Sequence, residues 1–144
     1  MTTIHRSALV VYSPQQMYQL VDDIDTYQEF LPWCRKGTVL HRTDTEVEAS
    51  LEIAHSGLHK SFTTRNTLVP NESIHMQLVE GPFKKLEGFW QFNTLGDTGC
   101  KVLLDLEFEF SNKIMALTMG HLFNQIATTM VDAFSKRADE VYGK

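Results

Sequence analysis

The stretch that decides the fold is VLLDLEFEF at residues 102–110 followed by SNKIMALTMGHLFNQIATTMVDAFSKRADEVY at residues 111–142. In its first part, apolar side chains alternate with charged ones, apart from Leu103, which predicts a strand with one buried and one wet face. Ser111 and Asn112 end that strand and can cap a helix. Because no proline occurs from Lys113 to Tyr142, we expect one long helix there.

Apolar residues on this helix recur at steps of three to five residues: Ile114, Leu117, Leu122, Ile126, Met130, Phe134, Ala138 and Val141. A second set widens the stripe: Met115, Met119, Phe123, Ala127, Val131 and Ala133. A face this broad must be covered by something large. The apolar face of the predicted sheet is the one candidate, so we expect the helix to lie across it.

Upstream, from Trp33 to Phe110, the apolar period is two residues, which predicts β-strands. The clearest of these strands alternates polar residues with Val47, Ala49, Leu51 and Ile53. Turn signals separate the strands at Ser56-Gly57, Pro70-Asn71, Gly81-Pro82 and Gly96–Gly99. Connections this short predict an antiparallel meander of about six strands.

The N-terminal region supplies one more strand, predicted over Ile4–Val11, and two short helices. Ser13 and Gln16 have the spacing of a capping box at the start of the first helix, and a second short helix or turn is predicted over Thr26–Leu31. The fold class is therefore α+β, one domain over residues 1–144, with helices segregated to one face of an antiparallel sheet. Where a long helix crosses a curved sheet without touching it, an apolar cavity is expected.

The composition is that of an ordinary globular protein, with 42% hydrophobic and 22% charged residues in a chain of 144. No apolar run approaches the ~18 residues of a membrane span, and the first residues lack the layout of a signal peptide. We therefore expect a cytoplasmic protein. The net charge of −5 argues against general DNA binding. Cys34 and Cys100 are expected to be reduced thiols.

Three groups of segments resemble the coenzyme Q-binding protein family of the START-like superfamily, which also contains polyketide cyclases and lipid-transport proteins. They are Tyr27-x-x-Phe30-Leu31-Pro32-Trp33-Cys34, then Glu80-Gly81-Pro82-Phe83-Lys84-x-Leu86-x-Gly88-x-Trp90-x-Phe92, then Phe108-Glu109-Phe110-Ser111-Asn112-Lys113 with Ala133-Phe134 and Arg137-Ala138. The resemblance implies the START-like helix-grip fold. In that fold a curved antiparallel sheet of about seven strands wraps around the C-terminal helix, with two short helices after the first strand.

The same resemblance implies a protein that binds ubiquinone or a similar isoprenoid quinone and supports cellular respiration, with peripheral contact at the inner membrane. It also implies an alternative, because ribosome-directed toxins belong to the family. In that alternative the protein binds the large ribosomal subunit, inhibits translation initiation and has an antitoxin partner. Both interpretations describe a binding protein without a cofactor, and the residues do not decide between them.

Inward positions on the strands and the long helix are the candidate ligand-binding residues: Leu51, Ile53, Phe62, Met76, Leu78, Trp90, Leu104, Leu106, Phe108, Leu122, Ile126 and Met130. All are apolar except for the indole nitrogen of Trp90, whereas an enzyme needs polar groups in its cavity to move protons. Thr64 and Asn66 are expected to face inward and to supply one or two hydrogen bonds. This mixture suits a ligand with a long apolar body and a small polar head. The alternative is that these residues fill a core without a cavity.

No motif indicates catalysis or metal binding. His55 and His59 have a ligand-like spacing, but Ser56-Gly57 places them around a hairpin turn, and no cysteine pair or acidic residue at motif spacing joins them. Glu107 and Glu109 share one face of a strand, which alternation makes the wet face. We therefore expect no metal ligands and no catalytic carboxylate pair.

The turn at Gly81-Pro82 is followed by Phe83, Lys84 and Lys85, which we expect to project from the domain. Such a tip is suited to contact a membrane surface or ribosomal RNA, or to gate the cavity. Each lysine near an anionic membrane contributes about 1 kcal/mol, and lysine–phosphate contacts with RNA weaken as salt rises. The alternative is that Phe83 folds back and plugs the end of the sheet.

Overall fold

The polypeptide forms seven β-strands in one antiparallel sheet. In the computed structural model, which describes residues 1–143, they are β1 (Thr2–Val10), β2 (Cys34–Arg42), β3 (Glu46–His55), β4 (Leu58–Val69), β5 (Ser73–Glu80), β6 (Phe83–Leu95) and β7 (Gly99–Phe110). Their order in the sheet is β1-β7-β6-β5-β4-β3-β2. The predicted antiparallel meander is confirmed, while the predicted domain end at residue 144 lies outside the described residues.

Two short helices follow β1, as the resemblance implied. Helix α1 (Pro14–Asp22) begins with the predicted capping box, because the Ser13 hydroxyl accepts from the Gln16 N–H at 3.1 Å and the Gln16 side chain accepts from the Ser13 N–H at 2.9 Å. The second is a 3₁₀ helix over Ile24–Glu29, slightly earlier in the chain than predicted. These two elements close one end of the space beneath the sheet.

The long C-terminal helix α2 spans Lys113–Tyr142, as the uninterrupted sequence predicts. Asn112 is its N-cap, and the Asn112 side chain accepts a hydrogen bond from the Met115 N–H at 2.9 Å. The buried residues of α2 are Met119, Phe123, Ile126, Ala127, Val131, Phe134 and Ala138. The sheet therefore covers one continuous stripe of the helix from its second turn onward.

Part of the predicted apolar stripe on α2 is wrong. Ile114 and Leu117 are 67% and 85% exposed, and Val141 is exposed as well. An α-helix turns by about 100° per residue, so Leu117 and Met119 point about 200° apart. A helix that buries Met119 must expose Leu117. The buried face takes four residues from the second predicted set and three from the first.

The hairpin between β3 and β4 fixes which residues of β4 face the helix. Ser56 and Gly57 form its two-residue turn with φ values of 49° and 84°, and positive φ at both positions is the type I′ geometry that matches strand twist. In the resulting register Ala49 pairs with Thr64 and Val47 pairs with Asn66. Thr64 and Asn66 therefore lie on the same buried face as Ala49 and Val47.

Two clusters of buried side chains lie between the sheet and the helices. One joins α1 and the 3₁₀ helix to α2 and includes Met17, Tyr27 and Phe134. The other contains Phe62, Phe83 and Phe123 and lies toward the start of α2. Among residues 1–143, no helix is both long enough and apolar enough to cross a membrane.

Candidate functional site

An apolar cavity lies between these two clusters, under α2. Its volume is about 70 Å³. The predicted ligand-binding residues on its wall are Leu51, Phe62, Met76, Trp90, Leu104, Leu106, Ile126 and Met130. Thr64 and Asn66 also line it, as expected. The structure thus contains a cavity, and the contact of these residues with a ligand stays a prediction.

Four other predicted residues do not line the cavity, which corrects the expectation for Ile53, Leu78, Phe108 and Leu122. All four belong to or pack against the cluster around Phe123. They do face inward, but this part of the space beneath the sheet is filled by aromatic rings. Strand alternation predicts the direction of a side chain and not whether the space in front of it is occupied.

The sequence interpretation missed several residues of the wall. Ile24, Tyr27 and Trp33 come from the 3₁₀ helix and the loop after it. Ile24 continues the helical apolar spacing of the first helix, whereas no periodicity marks Tyr27 and Trp33. The remaining ones are Ala49, Leu86, Phe123, Ala127 and Phe134. Those five lay in the predicted strands or on the helix stripe, so the pattern contained a signal for their burial.

Thr64 and Asn66 are the buried polar pair on the β4 side of the cavity. The Thr64 hydroxyl donates to Asn66 Oδ1 at 2.9 Å, and Asn66 is only 5% exposed. The Tyr27 hydroxyl, also on the wall, donates to the Val21 carbonyl, and burial raises the pKa of Tyr27. Tyr27 is therefore a neutral residue with its hydroxyl proton already used.

The cavity is small for a ligand of any length. Pockets for drug-sized molecules measure about 300–1,000 Å³, and an engineered cavity that binds benzene measures about 150 Å³. Met76 and Met130 are flexible parts of the wall, and a Cβ placed on Gly88 would lie 2.4 Å from Met76 Cε. An isoprenoid quinone would enter only if such side chains, or α2, moved.

Five phenylalanine rings close the cavity toward the start of α2: Phe62, Phe83, Phe108, Phe110 and Phe123. The Phe83 ring centre lies 4.9 Å from that of Phe123 and 5.1 Å from that of Phe110. Phe83 is 5% exposed. The expectation that Phe83 projects from the domain is therefore wrong, and the alternative, in which it plugs the end of the sheet, describes the structure.

A β-bulge explains the direction of Phe83. Strict alternation outward from the buried Leu86 would point Lys84 inward and Phe83 outward. The register of β6 against β7 shifts between Phe83 and Lys85, and an extra residue at a bulge reverses the faces on one side of it. Phe83 and Leu86 are consequently both buried.

Lys84 and Lys85 remain at the surface, but both have acidic neighbours. Lys84 is 74% exposed, with its Nζ 3.5 Å from Glu109, and the Nζ of Lys85 lies 3.3 Å from Glu107. Exposed pairs of this kind contribute only about 0–1 kcal/mol. The two lysines are therefore available to an anionic partner, because breaking their ion pairs with Glu109 and Glu107 costs little free energy.

The two cysteines are free and buried. Burial raises the pKa of the Cys34 thiol and of the Cys100 thiol to about 11, so both thiols are protonated and unreactive near neutral pH. Among the described residues, no group of three or more histidine, cysteine or acidic side chains could hold a metal ion. The residues of the cavity wall can interact with a ligand through apolar contacts and hydrogen bonds.

A curved antiparallel sheet that grips one long helix around an apolar cavity defines the helix-grip class of proteins. Residues 10–135 match the family described as polyketide cyclase / dehydrase and lipid transport, and the chain belongs to this family. The START-like membership implied by the sequence segments is confirmed.

Relatives that share nearly half of their residues with this chain are named for association with the ribosome. The chain is 47% identical over 142 residues to proteins named ribosome association toxin RatA in Pseudomonas aeruginosa and in Escherichia coli K12, covering 99% of this chain and 99% and 90% of theirs. A more distant relative is the mitochondrial coenzyme Q-binding protein COQ10 homolog B of Xenopus laevis, which is 29% identical over 143 residues. That match covers 96% of this chain and 58% of the frog protein.

Solved structures show the same fold. A START superfamily protein from Mycobacterium smegmatis superposes with a TM-score of 0.80 at 19% identity, over 96% of this chain and 98% of that one. The Caulobacter crescentus protein CC1736 gives 0.76 at 28% identity over the full length of both chains. The Zhui aromatase/cyclase from a Streptomyces species gives 0.77 at 17% identity, over 96% and 93%, a likeness that shows the fold alone.

Proposed function

We propose that the protein binds the large ribosomal subunit in the cytoplasm and inhibits translation initiation, acting by binding and not by catalysis. The observation that carries this proposal is the 47% identity over 142 residues with proteins named ribosome association toxin. Identity at this level along nearly the whole chain supports a shared surface as well as a shared fold. Quinone binding, the function expected first, therefore takes second place.

The surface we propose for ribosome contact is the turn with Lys84 and Lys85. Its backbone is well anchored, because the Ser111 N–H donates to the Pro82 carbonyl at 3.0 Å and the Phe83 ring is buried. Of the other basic residues, Arg137 is less free, because it is 21% exposed and lies 3.1 Å from Glu29. Arg35, 3.6 Å from Glu52, is as free as the turn lysines. In a chain of net charge −5, RNA contact would be local to such a turn.

Changing Lys84 and Lys85 together to glutamate is expected to weaken binding to isolated large ribosomal subunits by at least about tenfold. The physical reason is that a lysine bound to an RNA phosphate releases a counterion, and a glutamate at the same position cannot do so. The variant should fold normally, since surface substitutions usually change stability by less than about 0.5 kcal/mol. Co-sedimentation with the subunits measures the weakening, and thermal unfolding checks the fold.

The matched control is Lys36→Glu with Lys101→Glu. These lysines are exposed and lie on β2 and β7, and the double change alters the net charge by the same amount. If the control weakens ribosome binding as much as the Lys84 and Lys85 variant does, net charge matters and the turn is not the contact. An antitoxin partner would be expected to cover the same turn, and this too is a proposal.

The second function we propose is binding of a hydrophobic ligand such as ubiquinone or another isoprenoid quinone, with peripheral contact at the inner membrane. Two observations favour it: the apolar cavity with its buried polar pair, and the likeness to a coenzyme Q-binding protein. The cavity must enlarge to accept such a ligand. This function is compatible with the first, because Lys84 and Lys85 lie at the outer surface of the protein and the cavity lies beneath α2.

Organic extracts of the purified protein are expected to contain an isoprenoid quinone when analysed by mass spectrometry. Leu106→Trp should reduce the yield, because a larger side chain on the wall fills the space, at a strain of about 1–3 kcal/mol. An extract that contains no isoprenoid, from protein that also fails to bind a quinone in titration, would remove the basis of this second function.

A further inference from the structure

Asn66 is the side chain that breaks the pattern of β4. The residues on the inner face of this strand are Phe62, Thr64, Asn66 and Leu68, and all four are buried. Asn66 lies between Val47 on β3 and Met76 on β5 in the register of the sheet. Asparagine is depleted in strands, and a leucine at this position would satisfy both the alternation and the apolar surroundings. The amide therefore needs an explanation beyond the fold.

The hydrogen bonds of Asn66 leave one donor group free. Among residues 1–143 its only side-chain hydrogen bond is the one that Oδ1 accepts from the Thr64 hydroxyl at 2.9 Å. That bond orients the amide, so the Nδ2 group is left without a protein partner while the side chain lines the cavity. Because Asn66 lines the cavity, an Nδ2 group without a protein partner is available as a donor to a molecule inside it.

The other hydroxyl groups of the wall are already used as donors. The Tyr27 hydroxyl donates to the Val21 carbonyl, and the Thr64 hydroxyl donates to Asn66. The N–H donors on the wall belong to Asn66 and to the indoles of Trp33 and Trp90. A ligand with a hydrogen-bond acceptor in its head group can use these donors, while the hydroxyl oxygens and Asn66 Oδ1 keep lone pairs that can still accept.

We propose that Asn66 determines ligand specificity by donating a hydrogen bond from Nδ2 to a carbonyl oxygen on a compact, unsaturated ring, with Thr64 as the residue that positions the amide. This inference rests on the second function proposed above. The cavity volume of about 70 Å³ is below the ~150 Å³ of a cavity that binds benzene, so even a compact ring enters only when flexible wall residues such as Met76 and Met130 move. A longer apolar tail on the ligand would need additional space, which opens only if wall side chains or α2 move.

Two probes separate the hydrogen bond from apolar contact. Acetophenone and α-methylstyrene have nearly the same planar shape, but only acetophenone has a carbonyl oxygen. Their affinities are measured by NMR titration, with the indole signals of Trp33 and Trp90 as reporters, since both side chains line the cavity. The quantity of interest is the ratio of the two affinities, because the ratio cancels differences in how each variant packs.

The ratio of the acetophenone affinity to the α-methylstyrene affinity is expected to be higher in the wild-type protein and in Thr64→Val, which keeps the Asn66 amide, than in Asn66→Leu. The loss of one neutral hydrogen bond should lower the ratio about fivefold in Asn66→Leu. The double variant Thr64→Val with Asn66→Leu should show the same fall, and it avoids an orphan Thr64 hydroxyl if the single variant folds poorly. Thermal unfolding of each variant accompanies the titrations.

The outcomes distinguish this inference from the function on which it rests. If both probes bind and the ratio is the same in wild type and in the Asn66→Leu variants, the role of Asn66 is wrong and the cavity remains a ligand site. If Thr64→Val loses the preference while Asn66→Leu keeps it, the Thr64 hydroxyl and not the amide is the donor, which also overturns the assignment. If neither probe binds the wild-type protein, the proposed ligand-binding function is wrong, and the proposed role of Asn66, which depends on it, is wrong as well.

Discussion

A chain that ends after Asn112 is expected not to fold. Such a truncation removes α2 and uncovers the apolar side of the sheet. Five large side chains of α2 are buried: Met119, Phe123, Ile126, Val131 and Phe134. Full burial of such a side chain contributes about 1.5–3 kcal/mol, so their loss amounts to on the order of 10 kcal/mol. That is comparable to the whole free energy of unfolding of a domain, about 5–15 kcal/mol.

The truncated chain should accumulate in the insoluble fraction, or remain soluble without a cooperative transition in urea when followed by far-ultraviolet circular dichroism. The full-length protein should show one cooperative transition under the same conditions. A soluble truncation that unfolds cooperatively would mean that the sheet is stable without α2. The helix would then be an appendage and the cavity beneath it a secondary feature.

Phe83→Asp is expected to unfold most of the protein. The ring packs against Phe62, Phe110 and Phe123 at centre distances of 4.9–5.8 Å. Replacing a buried phenylalanine by alanine costs about 3–5 kcal/mol, and a carboxylate without a partner in this apolar cluster costs more. The midpoint of urea unfolding should fall steeply or disappear.

Two matched variants show whether the effect comes from burial. Phe83→Leu keeps an apolar side chain and should cost less than about 2 kcal/mol, while Lys84→Asp, one residue further along, should change stability by less than about 0.5 kcal/mol. If Phe83→Asp unfolds at the same urea concentration as the wild type, Phe83 projects into solvent after all. The turn would then present an aromatic side chain to a partner.

The direction of Phe83 shows where strand alternation loses its predictive power. The turn at Gly81-Pro82 and the strand after it were predicted from the sequence. The bulge between Phe83 and Lys85 depends on how β6 pairs with β7, which no local pattern records. A one-residue shift moves a side chain to the opposite face of a strand. Because the bulge was not recognised in the sequence, Phe83 was expected to be exposed, whereas it is buried.

For the long helix α2, the bounds could be predicted from the sequence better than the buried face. Its bounds followed from Asn112 and the absence of proline, because capping and helix propensity are local. Its buried face followed only in part, since the predicted stripe covers more than half of the helix circumference and includes Ile114 and Leu117, which are exposed. Only the position of the sheet decides that Met119 is buried and that Leu117 is exposed.

The wall of the cavity depends both on strand alternation, which the sequence shows, and on tertiary packing, which it does not. Strand alternation correctly placed residues such as Trp90 and Leu106 on its wall, whereas Tyr27 and Trp33 reach it from a 3₁₀ helix and a loop whose packing is purely tertiary. The structure also connects the cavity to the turn. Phe123 lines the cavity and contacts Phe83, the residue directly before Lys84, so the two proposed sites share one aromatic wall.

The measurement that tests the central proposal most directly is the joining of purified ribosomal subunits in the presence of the protein, followed by sucrose-gradient sedimentation. With the protein in excess over large subunits, we expect the joined ribosome to decrease and the protein to migrate with the large subunit. The Lys84→Glu, Lys85→Glu variant should restore joining. A gradient in which the protein stays at the top and the subunits join as they do without it would contradict the account.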